Sequence, residues 1–356
     1  MNALYVTATE HFSGKTAICL GLGKWLQSTG YRTGYLKPVS FSPILLPGHP
    51  VDEDAVFIKE MLQLEREPWE LSPIVVTPDL LNECLDHEEV CLKLHEQVKE
   101  EYAGAGAGND FLILEGGGSL RQGGAIGLTS PAVAEMLDVP VLVVVKCRSK
   151  LRMLDDALTA RFRLGDRLLG VVLNRVPDEA LSFIDETALP FLAERGITVL
   201  GILPEDRHLA AISVGELVDA LGARILVGED RLDGLCESLM VGAMGAREAL
   251  GRFRAVPNKA VFTGGDRTEV QLAALESSTV ALVLTGNIQP LQAVVERAER
   301  QGVAVLLVPH NTMEAVETID QAFGKTRLGH PDKLARFEAL MAAHMDFNRL
   351  LTLLKA

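Results

Sequence analysis

The sequence predicts an α/β protein: a doubly wound, mostly parallel sheet in the N-terminal part, then a smaller α/β domain and a C-terminal helix. Two observations support this. Short Val/Leu/Ile runs alternate with segments of helical spacing, as in the strand at residues 3–7, the helix at 17–28 and the strand at 111–114. The pattern changes after Pro204, where an acidic helical segment at 213–240 precedes a new strand and helix series.

The two domains and the closing segment predicted from this pattern cover residues 1–212, 213–325 and 326–356. Further strands of the first domain are predicted at residues 35–39, 139–145, 168–176 and 197–204. Helices are predicted at residues 51–62, 87–101 and 332–354, and a flexible glycine-rich segment at 103–110. Because strands that alternate with helices form parallel sheets, a ligand is expected at the carboxyl ends of the strands.

Composition narrows the possible partners. The chain has 356 residues and a net charge of -14, without a basic stripe that carries interleaved aromatic residues, so nucleic acid is not an expected partner. The 5 cysteines form no CxxC pair, which predicts free thiols in a reducing cytoplasm. No secretory leader and no uncharged apolar run of membrane-spanning length is found, so a membrane is not expected either.

The segment TATEHFSGKT, residues 7–16, follows a strand and opens a helix, which is the context of a phosphate-binding P-loop. Gly14 allows backbone N–H groups to approach phosphate oxygens, Lys15 supplies a positive charge, and the Thr16 hydroxyl is a ligand suited to Mg²⁺. The loop departs from the form GxxxxGK[ST], because Ala8 replaces the first glycine. The alternative is an ordinary helix start with a surface lysine.

Two carboxylates are candidate partners of a magnesium ion. Glu115 stands at the carboxyl end of the FLIL strand. Asp54 stands near the start of the helix predicted at 51–62, which follows the second predicted strand. Alternatively, Glu115 is a solvated turn residue and Asp54 a helix cap. Lys37 lies in the apolar YLKPV segment, where it either neutralises a transferring phosphoryl group or protects a strand edge.

These motifs resemble dethiobiotin synthetase in order and spacing: VTATEHFSGKT, YLKPVS, DEDA and LEGGGS. The resemblance implies an ATP-dependent P-loop domain in which Lys15 and Lys37 act on the reacting phosphate. It implies Mg²⁺ at Thr16, Asp54 and Glu115. Nucleotide contacts are implied at Glu10, Ser13, Gly14, Lys15, Thr16, Asn174, Pro204 and Glu205.

The whole chain resembles the phosphotransacetylase-associated family, in which a dethiobiotin-synthetase-like domain precedes a DRTGG domain. The segments GGDRTEVQLAALE, residues 264–276, and LVLTGN, residues 282–287, carry this resemblance. It implies a homodimer, and no transacetylase catalytic domain is expected within these residues. Phe41 departs from the small polar residues that follow KPV in the synthetase, which weakens the ligase interpretation.

The second domain carries a second candidate site, for a small-molecule effector or an interface. Its predicted residues follow two strands: Asp266, Arg267, Thr268, Thr285 and Gly286. Arg267 offers a fork suited to phosphate or carboxylate. The alternative is structural, with Asp266 capping the helix and pairing with the arginine.

Three functions remain open, and the first is preferred. In that hypothesis, ATP binding in the first domain regulates the second domain. The alternative is an ATP-dependent ligase that activates a small carboxylate through a phosphorylated intermediate. A further alternative is a non-catalytic oligomerisation module. Whether the chain is an enzyme, an ATPase or a ligase, is left open by the sequence.

Overall fold

The computed structural model describes residues 1–46, 48–323 and 328–355, and the boundary predicted at 325/326 lies outside these ranges. The chain divides into two compact units. One comprises Met1–Glu205 together with Leu334–Ala356, and the other comprises Asp206–Lys333. None of the described helices is both long enough and apolar enough to cross a membrane.

The described part of Met1–Glu205 contains ten strands and nine α-helices. The strands are β1 (Asn2–Ala8), β2 (Thr33–Leu36), β3 (Val39–Ser40), β4 (Pro43–Leu46), β5 (His49–Asp52), β6 (Ile74–Val75), β7 (Phe111–Glu115), β8 (Val141–Lys146), β9 (Leu168–Val176) and β10 (Val199–Pro204). The helices are α1 (Lys15–Ser28), α2 (Glu53–Leu62), α3 (Pro68–Leu71), α4 (Pro78–Asp86), α5 (Glu88–Gly106), α6 (Ser130–Leu137), α7 (Lys150–Leu164), α8 (Leu181–Phe183) and α9 (Leu189–Ala193).

Six of these strands form one parallel sheet in the order β10-β9-β8-β1-β7-β2. Alternate residues of β1 face opposite sides, as the pleat requires. Ala3 and Tyr5 join the apolar core on one side, whereas Leu4 lines a small apolar cavity with Leu22 and Leu26 of α1 on the other. The prediction of a doubly wound, mostly parallel sheet is therefore confirmed.

The second unit is a smaller α/β structure. Its strands are β11 (Ile212–Ser213), β12 (Arg224–Val227), β13 (Leu235–Cys236), β14 (Ser238–Val241), β15 (Lys259–Gly264), β16 (Thr279–Thr285) and β17 (Ala304–Leu307). Its helices are α10 (Arg207–Ala210), α11 (Val214–Leu221), α12 (Ala246–Ala255), α13 (Thr268–Leu275), α14 (Gln292–Gln301) and α15 (Thr312–Phe323). The main sheet has the order β12-β17-β16-β15-β14 and is parallel except for the β12–β17 pair.

The closing helix predicted at 332–354 is divided in the structure into α16 (Pro331–His344) and α17 (Phe347–Lys355). The break has a local cause. The backbone N–H of Asp346 donates to the Leu200 carbonyl at 2.8 Å, and the Asp346 carboxylate accepts from the N–H of Arg349 at 2.9 Å. The backbone N–H of Asp346 therefore bonds outside the helix after α16 has ended, and its side chain caps α17.

Two further predictions about elements of the first unit were wrong. The glycine-rich segment at 103–110 is helical as far as Gly106, because these small residues permit close packing: a Cβ on Gly106 would lie 2.3 Å from the Met1 sulfur. The helix predicted from residue 51 begins at Glu53, because His49–Asp52 instead forms a hairpin with Pro43–Leu46.

Candidate functional site

The loop between β1 and α1 is held in place by a residue far away in the sequence. Asn174 near the end of β9 donates its side-chain amide to the Ser13 carbonyl at 2.7 Å. Gly14 has φ +93°, and a Cβ there would lie 2.4 Å from the same amide nitrogen. Glycine is therefore required at this position by both backbone conformation and space.

The start of α1 presents groups that suit an anion. Gly14 occupies the N-cap, and no side chain in the described part of the chain caps the first backbone N–H groups, so the positive end of the helix remains available. Lys15 is the first helical residue and, among the described residues, has no carboxylate within ion-pair distance. Burial lowers the pKa of Lys15, and Glu115 opposes that effect.

Glu115 ends β7 as a completely buried carboxylate with two hydroxyl donors. Thr16 donates to its Oε1 at 2.7 Å, and Tyr35 donates to its Oε2 at 2.9 Å. Burial raises the pKa of Glu115, whereas Lys37 acts to lower it. The alternative of a solvated turn residue is therefore wrong for Glu115, since it lies inside the site.

Lys37 lies between three carboxylates just beyond the end of β2. Its ammonium is 2.8 Å from Asp52 Oδ1, 2.6 Å from Asp54 Oδ2 and 3.9 Å from Glu115 Oε1. Burial alone would lower the pKa of Lys37, but these carboxylates outweigh it and raise the pKa above its usual range. A lysine that merely protects a strand edge would be solvated, so this alternative does not describe the buried environment of Lys37.

Asp52 is the functional candidate that sequence analysis missed. Its carboxylate accepts the backbone N–H groups of Asp54 at 2.8 Å and Ala55 at 3.3 Å, so Asp52, not Asp54, is the cap of α2. It also pairs with Lys37 and accepts a hydrogen bond from Ser40. An acidic residue directly before a helix start is a recognisable cap signal, whereas its pairing with Lys37 has no local signal.

The oxygen atoms around Thr16 fit a magnesium ion. Thr16 Oγ1 and the carboxylates of Asp54 and Glu115 converge there, and hard oxygen donors are the ligands that Mg²⁺ prefers. Burial acts to raise the pKa of Asp54, but the neighbouring Lys37 outweighs that effect and lowers the pKa below its usual value. Among the described residues no group of three acidic, His or Cys side chains forms a complete cage, so such an ion would share phosphate and water ligands.

The other residues predicted to contact the nucleotide lie toward the opposite side of β1. Glu10 pairs with Arg148 at 2.7 Å and Arg152 at 3.1 Å, so its carboxylate is engaged by the start of α7. Ser13 is buried, and its hydroxyl has no hydrogen-bond partner among the described residues. Pro204 ends β10, and the Glu205 N–H that follows it donates to the Val176 carbonyl at 2.8 Å.

In the second unit, the arginine predicted to contact a ligand binds the chain itself. Arg267 donates to the carbonyls of Gly242 and Met244, the latter at 2.7 Å. Asp266 is exposed and does not cap α13, whose first residue is Thr268, so the alternative role as a helix cap is wrong.

Thr285 and Gly286 lie at the carboxyl end of the neighbouring strand β16. The hydroxyl of Thr285 is 2.8 Å from that of Thr312, and the N–H of Gly286 donates to the His310 carbonyl at 2.9 Å. The predicted residues of the second unit therefore lie at the ends of β15 and β16, where their polar groups mainly connect neighbouring loops.

Comparison with protein families also divides the chain into two parts. Residues 2–213 match the family model described as an AAA domain, and residues 216–322 match the DRTGG domain. The first match covers more than half of the chain.

Two relatives carry the same two resemblances that the sequence predicts. Phosphate acetyltransferase of Synechocystis is 24% identical over 379 residues, which cover 99% of this chain and 52% of the relative. ATP-dependent dethiobiotin synthetase of Methanococcus vannielii is 27% identical over 215 residues, covering 57% of this chain and 94% of the relative. The chain thus spans about half the length of the phosphate acetyltransferases that it matches.

Among solved structures, the chain is similar to the CBS and DRTGG domains of the regulatory region of Clostridium perfringens pyrophosphatase, complexed with the activator diadenosine tetraphosphate. The identity is 21%, the TM-score is 0.29, and the similarity covers 38% of this chain and 69% of that structure.

Proposed function

The chain belongs to the AAA-domain family, and we propose that it is a Mg-ATP-binding regulatory protein related to the corresponding half of phosphate acetyltransferase. The observation that carries the proposal is the arrangement at the start of α1. There Lys15 follows a glycine with φ +93°, and the next residue, Thr16, binds the buried carboxylate of Glu115. A free helix N-terminus, a lysine and a hydroxyl beside carboxylates are the parts that a bound nucleotide triphosphate and its metal need.

Each residue of the proposed site has a separate task. The backbone of residues 13–16 and the Lys15 ammonium bind the phosphates, and Thr16, Asp54 and Glu115 hold Mg²⁺. When bound, Mg²⁺ would neutralise part of the phosphate charge. Tyr35 orients Glu115 through its hydrogen bond of 2.9 Å.

Two observations favour binding over rapid turnover. Lys37, the residue suited to a transferring phosphoryl group, is bound by Asp52 and Asp54 at 2.8 and 2.6 Å. The Phe41 ring also packs against the glycine segment after β7: a Cβ on Gly117 would lie 3.2 Å from it. A bulky ring at this place leaves less room for an acceptor molecule next to the phosphates.

A regulatory role requires that nucleotide binding in the first unit changes the second unit. The test is amide hydrogen exchange of the full chain with and without Mg-ATP, with Lys15→Ala as control. We expect slower exchange around residues 9–16 together with altered exchange within residues 206–333, both lost in the variant. If only the first unit responds, the regulatory part of the proposal is wrong.

The second candidate is an ATP-dependent ligase of the dethiobiotin synthetase type. It is favoured by the approach of Lys37 to Asp54 and Glu115 within 3.9 Å, because this cluster lies where a phosphoryl group would be transferred. The ligase predicts that ATP hydrolysis increases when a small carboxylate is added. Absence of any stimulation across a panel of small mono- and dicarboxylates favours the regulator.

A further inference from the structure

A set of basic side chains lies at the carboxyl edge of β8 and β9, and we refer to its four members as the basic rim: Lys146, Arg148, Arg152 and Arg175. Lys146 is the last residue of β8 and pairs in register with Asn174 of β9. Because Asn174 donates to the Ser13 carbonyl at 2.7 Å, the basic rim borders the phosphate loop.

The basic rim and the metal-binding carboxylates lie on opposite sides of the loop. The sheet order places β8 on one side of β1 and β7, with Glu115 at its end, on the other. A nucleotide whose terminal phosphate lies near Thr16 and Glu115 therefore extends its nucleoside toward β8 and β9. Asn174 belongs to that side, and so does Pro204 at the end of β10.

The members of the basic rim differ in their contacts with carboxylates. Glu10 pairs with Arg148 at 2.7 Å and with Arg152 at 3.1 Å. Lys146 has no carboxylate within ion-pair distance in the part of the chain that the structure describes.

The surroundings of Lys146 disfavour its positive charge. Burial lowers the pKa of Lys146, and the neighbouring guanidiniums of Arg175 and Arg148 lower it further, against the attraction of Glu10 and Glu205. Crowding of like charges costs free energy, and a bound anion relieves that cost. On a chain with a net charge of -14, such a group of cations is a local exception.

We propose that the basic rim binds a phosphate group carried on the ribose of the nucleotide whose 5′-phosphates lie on the loop. This inference rests on the proposed nucleotide site and adds a ligand class to it: nucleotides phosphorylated on a sugar hydroxyl. Lys146 provides the point charge, and Arg148 provides N–H groups that can bind two phosphate oxygens. Glu10 holds Arg148 and Arg152 in position beside the loop through its two ion pairs.

The test compares three ligands by calorimetric titration of the full chain: ADP, ADP with an added ribose 3′-phosphate, and ADP with an added 2′-phosphate. We expect one of the phosphorylated ligands to bind about tenfold more tightly than ADP, with an advantage that shrinks at about 0.5 M salt. The ligand that binds more tightly identifies which ribose hydroxyl, 2′ or 3′, carries the phosphate that the basic rim binds.

The variant Lys146→Gln separates this role from a structural one. We expect it to abolish the advantage of the ribose phosphate while the affinity for ADP stays within about twofold, and to raise the melting temperature of the ligand-free protein, because a crowded charge is removed. Lys150→Gln is the matched control. Its ammonium lies 4.9 Å from the Phe183 ring centre, and its loss should leave the advantage intact.

The outcomes distinguish the two proposals. If ADP binds and neither ribose phosphate adds affinity, or if Lys146→Gln lowers the melting temperature and keeps the advantage, the inference about the basic rim is wrong while the nucleotide site stands. If none of the three ligands binds, the proposed function itself fails, and the inference fails with it.

Discussion

At the scale of single residues, the site depends on charges that are held away from water by specific partners. Glu115 is 0% exposed and Asp52 1% exposed. Each carboxylate accepts a hydrogen bond from a hydroxyl group and is attracted by the ammonium of Lys37. Removing one partner of a buried pair leaves the other charge without compensation, which is more destabilising than the pair itself is stabilising. These residues therefore affect both stability and ligand binding.

Asp52→Asn tests the buried pair separately from the helix cap. Asparagine caps helices about as well as aspartate, so the contacts to the N–H groups of Asp54 and Ala55 are kept while Lys37 loses a charge. We expect a loss of about 2–4 kcal/mol in the free energy of unfolding, measured in urea. Asp79→Asn, at an exposed position in the first turn of α4, should change it by only a few tenths of a kcal/mol. Equal effects would argue against a stabilising role for the pair.

Glu115→Gln tests the metal role of the buried carboxylate. Because the carboxylate must be ionised to bind Mg²⁺, and burial raises its pKa, Mg²⁺-dependent binding should weaken at a higher pH than an ordinary glutamate would dictate.

The affinity for Mg-ATP should fall as the pH is lowered through the raised pKa of Glu115. In Glu115→Gln, we expect the gain in ATP affinity on adding Mg²⁺ to be about tenfold smaller than in the wild type. The pH dependence caused by Glu115 should also be absent from the variant. Titrations at several pH values measure both effects, and comparison with the variant cancels the protonation of ATP itself. An unchanged Mg²⁺ effect would exclude Glu115 from the metal site.

At the scale of elements, the phosphate loop depends on the approach of β9 to the start of α1. Asn174 reaches the loop through a contact that spans 161 positions of sequence. The space that it occupies is available only because residue 14 has no side chain. The shape of the loop is therefore a property of three elements, β1, α1 and β9, rather than of the GKT motif alone.

Gly14→Ala should abolish nucleotide binding, because the new Cβ would lie 2.4 Å from the amide nitrogen of Asn174 and would displace either the amide or the loop. Gly30→Ala is a matched control. Gly30 also has a positive φ, +90°, but no atom of the residues that the structure describes lies within 4 Å of a Cβ there. Both variants carry backbone strain of about 1 kcal/mol, and only the first should lose ATP binding in calorimetry. Equal affinities would contradict the close fit at Gly14.

At the scale of the whole molecule, local patterns predicted most of the fold. Apolar runs predicted all six strands of the main sheet, and the glycine and lysine after β1 predicted the loop, because each signal lies within about ten residues. The shift in character after Pro204 predicted a second α/β unit. The boundary was predicted at residue 212/213, whereas the structure divides the chain at 205/206 and groups Leu334–Ala356 with the first unit.

Features that depend on distant contacts were not predictable in this way. The pairing of Asp52 with Lys37 and the contact of Tyr35 with Glu115 join different elements, and nothing in the local sequence distinguishes them from ordinary polar residues. The break in the closing helix also depends on a distant strand, through the Leu200 carbonyl. Arg267 carried a signal for ligand binding, yet its guanidinium satisfies carbonyls of its own unit.

Calorimetric titration of the full chain with ATP, with and without Mg²⁺, tests the proposed nucleotide site most directly. Lys15→Ala removes the charge at the start of α1, and Lys24→Ala, later in the same helix, is the control. We expect Mg²⁺-dependent binding that Lys15→Ala weakens at least about a hundredfold and Lys24→Ala leaves unchanged. Absence of binding in the wild type, or equal affinity in wild type and Lys15→Ala, would contradict the proposed nucleotide site.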